Sequence, residues 1–484
     1  MLGTSNKVCS ATPGQCARLD AAGKAALADS GVTVCADEAS TLTCNGGSFG
    51  TPKACPTDKP ACEGGVCKLC IGGQTRCDPA DKAGILLCAA DGASQTKGTP
   101  CATGRCAGNG ICVIDGALTV STATSEDSQR TAAVAVGDGF AVAWFASQAF
   151  SDVVRVRVFD ATGKGGNALT AQSASTPHAA SRIALSPLGT GFAVAWHSTG
   201  NLAKVYVRAF TSAGNAVAND SGIGGTPSAA QTQPALAGDA KGGVVVWADD
   251  DTGVRSIRGQ RLATDGALVG SNIAISPAKG SGIIGAGGTV TSPAVARLAD
   301  GSFVVAWSRS GGDDGQDGIY WRKVAADDTL SAPQRLSAEG KSGDQVALAA
   351  NSKGTHLVVW RQIEASDSGD IVGVRLDSGG NVGYGPQALN ATTSGGQSQP
   401  AVTAGVDRFI VTWSSATSDG GDVLGRDLLD GGTFSSSVDV GQVTPATGLQ
   451  GDSALVAWAD GRVAALWRSR AEGGAKGAIL GVFR

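Results

Sequence analysis

Seven times the chain writes a short apolar run that ends in tryptophan: Phe140–Trp144, Phe192–Trp196, Gly243–Trp247, Phe303–Trp307, Leu357–Trp360, Phe409–Trp413 and Val463–Trp467. Successive tryptophans are 52, 51, 60, 53, 53 and 54 residues apart. A repeat of that length made of strands has to stack or close on itself, because one unit cannot bury its own apolar face.

Each unit reads alike. A short apolar strand comes first, as at Pro293-Ala-Val-Ala and Pro400-Ala-Val-Thr, then an Asp/Gly turn such as Asp138-Gly139 or Asp300-Gly301, then the tryptophan strand. A polar loop leads to a third, alternating strand that carries Arg157, Arg208, Arg261, Arg322, Arg375 or Arg426. A weaker fourth strand follows. Period-two alternation bounded by Gly, Asp and Asn is a strand and hairpin signal. The expected fold is all-β: a seven-bladed β-propeller over 114–484. The chain stops after the third strand of its last unit, while a spare strand stands at 116–122 before the first. Placed in the last blade, the spare strand would close the ring and remove an open edge.

Composition narrows the function. The net charge is −4 and charged residues make up 17% of the chain, which lacks the basic stripe of a nucleic-acid binder. Glycine is abundant at 72 residues, yet mean hydropathy is +0.04 and branched aliphatics are plentiful, unlike a disordered chain. No apolar run is long enough for a membrane helix. Only three histidines are present (His178, His197, His356), so histidine-based catalysis has little material.

All thirteen cysteines lie between Cys9 and Cys112. Their spacing is duplicated. Cys9-x6-Cys16 matches Cys70-x6-Cys77, and the set Cys44, Cys55, Cys62, Cys67 matches Cys88, Cys101, Cys106, Cys112. Two tandem modules of six cysteines are expected, 1–69 and 70–113, each with three disulfides, and Cys35 is left over as the unpaired candidate. Pairing within six cysteines cannot be read from spacing. Cys67-x2-Cys70 is also a zinc-type spacing, but no second close pair or useful histidine accompanies it. Disulfides of this density imply an oxidising compartment, so export to the extracellular space or cell surface is expected. The start, MLGTSNKVC, has no apolar h-region and is not a signal peptide, which places any leader outside this numbering.

With their Gly64-Gly65 and Asn109-Gly110 turns, these modules resemble cysteine-rich repeats in secreted and surface proteins of myxobacteria and their relatives. The resemblance covers the first 113 residues and implies an extracellular spacer or interaction module, with no activity attached.

Candidate sites come from the loops between the second and third strands. Four are acidic: Asp249, Asp250 and Asp251; Asp313, Asp314 and Asp317; Asp367 and Asp370; Asp419 and Asp422. Clustered carboxylates suit Ca²⁺, a hard cation that takes six to eight oxygens, and Asp313, Asp314 and Asp317 are its best candidates. The competing reading is that Asp and Gly are what turns use. No cofactor is required. The repeated tryptophans and third-strand arginines read as packing and pairing elements because they recur, whereas Trp321 and Trp458 fall off the register and are expected at the surface. Catalytic residues are not identified: there is no Gly-x-Ser-x-Gly elbow, no sialidase-type Asp box and no recurring inner-strand carboxylate.

The expected function is a non-enzymatic binding or adhesion protein that presents a rigid propeller face to a protein or glycan ligand, with the cysteine-rich segment as its stalk. The stalk and Arg484 are expected on the face opposite the acidic loops. The alternatives are a structural subunit of a surface filament or coat, self-assembled through the cysteine-rich segment, and a carbohydrate-active enzyme.

Overall fold

In the computed structural model the chain divides into two compact units, Met1–Asp115 with Arg484 and Gly116–Phe483. In the second unit the structure describes residues 118–121, 127–147, 152–172, 182–198, 203–224, 230–250, 255–277, 288–311, 316–364, 367–390, 395–405, 408–416, 421–429, 438–439, 449–458, 462–470 and 478–483. For 364, 367–368, 429, 438–439 and 478–483 it describes the backbone alone. In the first unit it describes short strands between 7 and 113 and turn residues among 55–59, 69–70 and 78–100.

The first unit is built of short antiparallel hairpins. Lys7–Cys9, Cys16–Leu19 and Ala25–Leu27 form one small sheet, and Thr75–Cys77, Ile85–Cys88 and Gln95–Lys97 form another. The first sheet contains both Cys9 and Cys16, whereas in the second only Cys77 of the pair Cys70 and Cys77 lies in a strand. Two disulfides lie among the described residues, Cys55–Cys67 and Cys70–Cys88. The first falls within 1–69 and the second within 70–113. They assign Cys67 and Cys70 to separate bonds, so this pair is not a zinc-ligand pair. Of the remaining candidates Cys9, Cys16, Cys35, Cys44, Cys62, Cys77, Cys101, Cys106 and Cys112, no side chain is described.

The second unit is a β-propeller. Six blades are four consecutive antiparallel strands each, at 127–170, 184–222, 231–274, 289–335, 342–388 and 397–439, here numbered one to six. A further four-stranded sheet is composite: Leu449–Ala457, Val463–Arg470 and Ala478–Phe483 are completed by Leu118–Thr119, which pairs Leu118 with Gly481. The sequence reading counts seven repeats; six fold as sheets continuous in the chain, and the last needs the spare strand from before the first. The innermost strand of each sheet touches that of the next, and Leu449–Ala457 touches Asp127–Val136, so the inner strands form a closed ring.

The tryptophan strands are buried on both faces, which is why they read as continuous apolar runs rather than as alternation. Each tryptophan enters the core shared with the preceding blade. Trp196 packs with Val134, Phe145 and Val154 of blade one, and Trp307 packs with Val246, Ile257 and Ile275 of blade three. All seven repeat tryptophans are essentially fully buried. At about 200 Å² per indole and about 25 cal/mol/Å², each contributes roughly 5 kcal/mol before entropy is counted.

Trp321 and Trp458, expected at the surface, are buried as well, at 5% and 6% exposure. Trp321 lies against Gly380 of blade five; a Cβ on that glycine, at φ +86°, would stand 2.5 Å from the indole. Trp458 stacks edge-on against Phe140, and its indole N–H donates to the Gly139 carbonyl at 2.9 Å, tying the composite sheet to blade one. Arg468 strengthens the same seam through the Ser128 carbonyl at 3.0 Å and the Asp127 carboxylate at 3.0 Å.

The third-strand arginines clamp neighbouring blades. Arg157 donates to the Val120 carbonyl at 2.8 Å, Arg208 to Ala171 at 2.9 Å, Arg322 to Ile275 at 2.7 Å and Arg426 to Leu389 at 2.7 Å. In every case the acceptor follows the fourth strand of the sheet before. Arg261 and Arg375 depart from the pattern. The residue two before each tryptophan faces Arg157, Arg208, Arg322 or Arg426 in those four blades, but Gln260 in blade three and Val374 in blade five. A one-residue offset turns a strand side chain to the other face. Arg261 accordingly reaches forward to Asp328 and the Gly301 and Ala325 carbonyls of blade four, and Gln260 caps the Val269 carbonyl in its place.

Asp/Gly turns close the units as the sequence implies. Asp160 accepts from Thr162 and from the Lys164 N–H, and Asp377 from Asn381; these bonds hold both carboxyls below the usual carboxylate range.

Two outcomes are expected. Arg322→Met should cost about 1.5–3 kcal/mol in urea unfolding, because it strands the Ile275 carbonyl. The exposed Lys323→Met, which loses only an open pair with Asp300, should cost under about 0.5 kcal/mol. Equal losses would remove the clamp assignment. Peptide mapping of the unreduced protein should return Cys55 joined to Cys67 and Cys70 joined to Cys88; a Cys67–Cys70 bond would contradict the division into two modules.

Candidate functional site

The described carboxylates of the acidic loops are spread over blades three to six. Asp249 closes the tryptophan strand of blade three and is 4% exposed; it accepts from the Trp247 indole at 2.9 Å and lies 3.6 Å from Arg258. Asp250 is held by both ends of Arg255, at 2.6 and 2.9 Å. Asp317 in blade four accepts from the Gly311 N–H at 3.0 Å and pairs with Arg309 at 3.3 Å. Asp370 in blade five accepts from Asn390 at 2.6 Å. Asp422 opens the third strand of blade six opposite Ser415. Asp251, Asp313, Asp314 and Asp419, with the side chain of Asp367, lie outside the described residues. Among the described residues no three His, Cys, Asp or Glu side chains gather into a group able to hold a metal ion. Asp250 and Asp317 bond within their own loops, whereas Asp249 bonds Trp247 of its own strand and Asp370 bonds Asn390, past the fourth strand of its blade.

A different site lies at the centre of the ring. The inner strands enclose a channel of about 480 Å³. Its polar lining comes from one position in the repeat, immediately before the apolar residues of each inner strand: Arg130, Arg182, Gln233, Ser292, Gln345, Gln399 and Asp452. Every one of these strands except that of blade two has an irregularity there. In blade one, Gln129 pairs with Phe145 and Ala132 with Ala143, so Arg130 and Thr131 together oppose Trp144. The same two-against-one bulge faces Trp247, Trp307, Trp360, Trp413 and Trp467. The first bulge residue takes a left-handed backbone, with φ between +51° and +55°, at Arg130, Gln233, Ser292, Gln345, Gln399 and Asp452. None is glycine, so each carries about 1 kcal/mol or more of backbone strain. Arg182 holds the equivalent place, two residues before Ala184, which pairs with Ala195.

The retained side chains do what glycine could not. Gln233 accepts from the Ser292 N–H at 2.6 Å, Gln345 from the Gln399 N–H at 2.5 Å, and Gln399 from the Asp452 N–H at 3.0 Å. Each bond joins one bulge to the bulge of the next sheet. Gln399 also donates to the Asp452 carboxylate at 2.8 Å. Arg182 crosses the channel instead, donating to the Pro293 carbonyl at 3.0 Å and the Val346 carbonyl at 3.5 Å, in blades four and five. Burial, then the nearby Arg130 charge, pull its guanidinium down to about 10, against a weaker opposite pull from Asp344. The inner strands begin beside the ends of the tryptophan strands, as the pairing of Asp127 with Ser147 shows. The polar ring therefore stands at the channel mouth on the face of the acidic loops.

Sequence reasoning missed this ring because it began the inner strands at Pro293 and Pro400, just after Ser292 and Gln399, whereas the strands begin at Thr289 and Gln397. The spacing gives only a loose signal, a polar residue 14 positions before Trp144, Trp196, Trp247 and Trp413 and 15 before Trp307, Trp360 and Trp467.

Chemically, the channel is rich in donors and poor in bases. Among the described residues of its lining, Asp452 is the one carboxylate. Glycoside hydrolysis by the usual route uses two. His197 and His356 lie in tryptophan strands at 4% and 1% exposure, away from the channel lining, and His178 is outside the described residues.

No family model matches this chain, and no curated protein matches it. Solved structures with a similar arrangement include a protein of unknown function from Dyadobacter fermentans, at 14% identity over 76% of this chain and 97% of that one, with a TM-score of 0.45. A polysaccharide lyase of an ulvan lyase family aligns at 9% identity over 75% and 95%, with a TM-score of 0.48. The β-propeller domain of the Trilobed protease from Pyrococcus furiosus aligns at 8% identity over 73% and 94%, with a TM-score of 0.42.

Burial pushes His197 and His356 from 6.5 down to about 4. Their folded forms stay neutral where the unfolded chain takes up protons. Stability from this source is complete above pH 6.5 and is lost as pH falls toward about 4, by up to roughly 3 kcal/mol per histidine. Urea midpoints measured across that window should fall with pH, and the fall should be shallower in His197→Asn and His356→Asn; an unchanged slope in both variants would remove the assignment.

Proposed function

We propose that this chain is a non-enzymatic binding protein of the extracellular space or cell surface, and that its ligand docks at the channel mouth. The observation that carries this reading is the composition of the channel wall. Among the described residues, arginine and amide side chains line it, its single carboxylate is bonded to Gln399, and the two described histidines are buried elsewhere. Such a wall offers hydrogen bonds and positive charge but no acid and base pair. The fixed backbone around it supports pre-organised binding, because the strained bulges leave the lining little freedom to lose. The two disulfides are compatible with an exported protein. Among the described residues, no helix is long and apolar enough to cross a membrane.

The test is retention against turnover. In affinity electrophoresis through gels containing different polysaccharides, the full chain should be retarded by at least one of them. The same mixture should release no new reducing ends or unsaturated products. Turnover abolished by Asp452→Asn would replace this reading with a carbohydrate-active enzyme. Regular polymers that dissolve only in reductant, without retention on any polysaccharide, would replace it with a structural subunit.

A further inference from the structure

Repetition around a ring marks a structural role, so a break in the repetition is where a ligand site is sought. At the bulge position, Gln233, Gln345 and Gln399 each bond forward to the next sheet. Blades one and two carry arginine there. Arg130 is exposed, lines the channel, and has no hydrogen-bond or ion-pair partner among the described residues. Arg182 spends donors on two carbonyls, neither of which carries a charge to balance its own. The carboxylates nearby are committed. Asp452 is bonded to Gln399, and Asp344 is held by two nitrogens of Arg361 at 2.7 and 2.6 Å. Both guanidinium groups line the same channel, and two like charges on a partly desolvated wall are costly unless an anion lies between them.

We propose that Arg130 and Arg182 form an anion site at the channel mouth that takes the carboxylate or sulfate group of an acidic sugar unit. The proposal rests on the binding reading above and supplies its ligand class. Guanidinium is the side chain best suited to such groups, because its planar fork can meet two oxygens at once. A channel of about 480 Å³ is within the range of small-molecule pockets, which admits a sugar ring and excludes a folded partner.

The experiment is calorimetric titration of the full chain, at fixed ionic strength, with four probes: a galacturonate oligomer, a sulfated galactan oligomer, a neutral galactan oligomer of equal length and a glutamate-rich peptide. An acidic saccharide is expected to bind at least about tenfold more tightly than the neutral one. Arg130→Gln should remove that preference, and Arg130→Lys should retain part of it. Arg182→Gln should also remove it. Because Arg182 spans the channel and its loss threatens folding, the exposed Arg130 decides the matter alone. The carboxylate and sulfate probes separate the two sources of charge. Equal binding of acidic and neutral saccharides, unchanged binding by Arg130→Gln, or binding of the peptide alone overturns the site. Cleavage of a bound acidic saccharide would leave the anion site standing and overturn the non-enzymatic reading. Binding of the neutral saccharide alone would do the reverse.

Discussion

Each bulged inner strand sets two residues against one tryptophan, and the rest of the propeller depends on that mismatch. The extra residue bends the strand and turns its own side chain into the channel. Opposite it, the indole fills the core shared with the preceding blade. The strain of six left-handed, non-glycine residues is offset by the burial of the tryptophans and by the bonds that the retained side chains make to the next bulge. Packing between blades and the lining of the channel are thus two consequences of one local irregularity.

Around this ring the same chemistry serves structure where it repeats and is free for function where it does not. Arg157, Arg208, Arg322 and Arg426 repeat, and each closes a carbonyl left beyond the fourth strand of the sheet before. Those bonds remain at the seam, where Arg157 reaches Val120, so the composite sheet is locked to blade one as the continuous blades are to one another. Arg130 and Arg182 belong to no such series. They occupy a position that elsewhere carries glutamine, serine or aspartate, and they bring charge into a wall with little to neutralise it.

Much of the propeller was legible in the chain. Strands buried on both faces must be apolar throughout, so the tryptophan runs announced themselves, and the incomplete last repeat implied the strand that closes it. What was not legible depended on single-residue offsets. Arg261 and Arg375 look equivalent to the other third-strand arginines until pairing shows them one residue out of step, and pleating then sends them to another face. Trp321 and Trp458 sit off the repeat, yet both are buried, because neighbouring blades supply Gly380 and Phe140 as surfaces to pack on. The acidic loops cluster carboxylates in sequence, but spacing does not say which of them meet. In space the described ones lie on successive blades, most of them committed to nearby donors.

The sequence by itself determined the repeat, its strand content and the closing strand, because these follow from periodicities of one strand or one unit. Only the tertiary structure decided which residues meet at the centre. Seven side chains that are far apart in the chain become neighbours when the ring closes, and no local pattern records that a bulge has turned six of them inward.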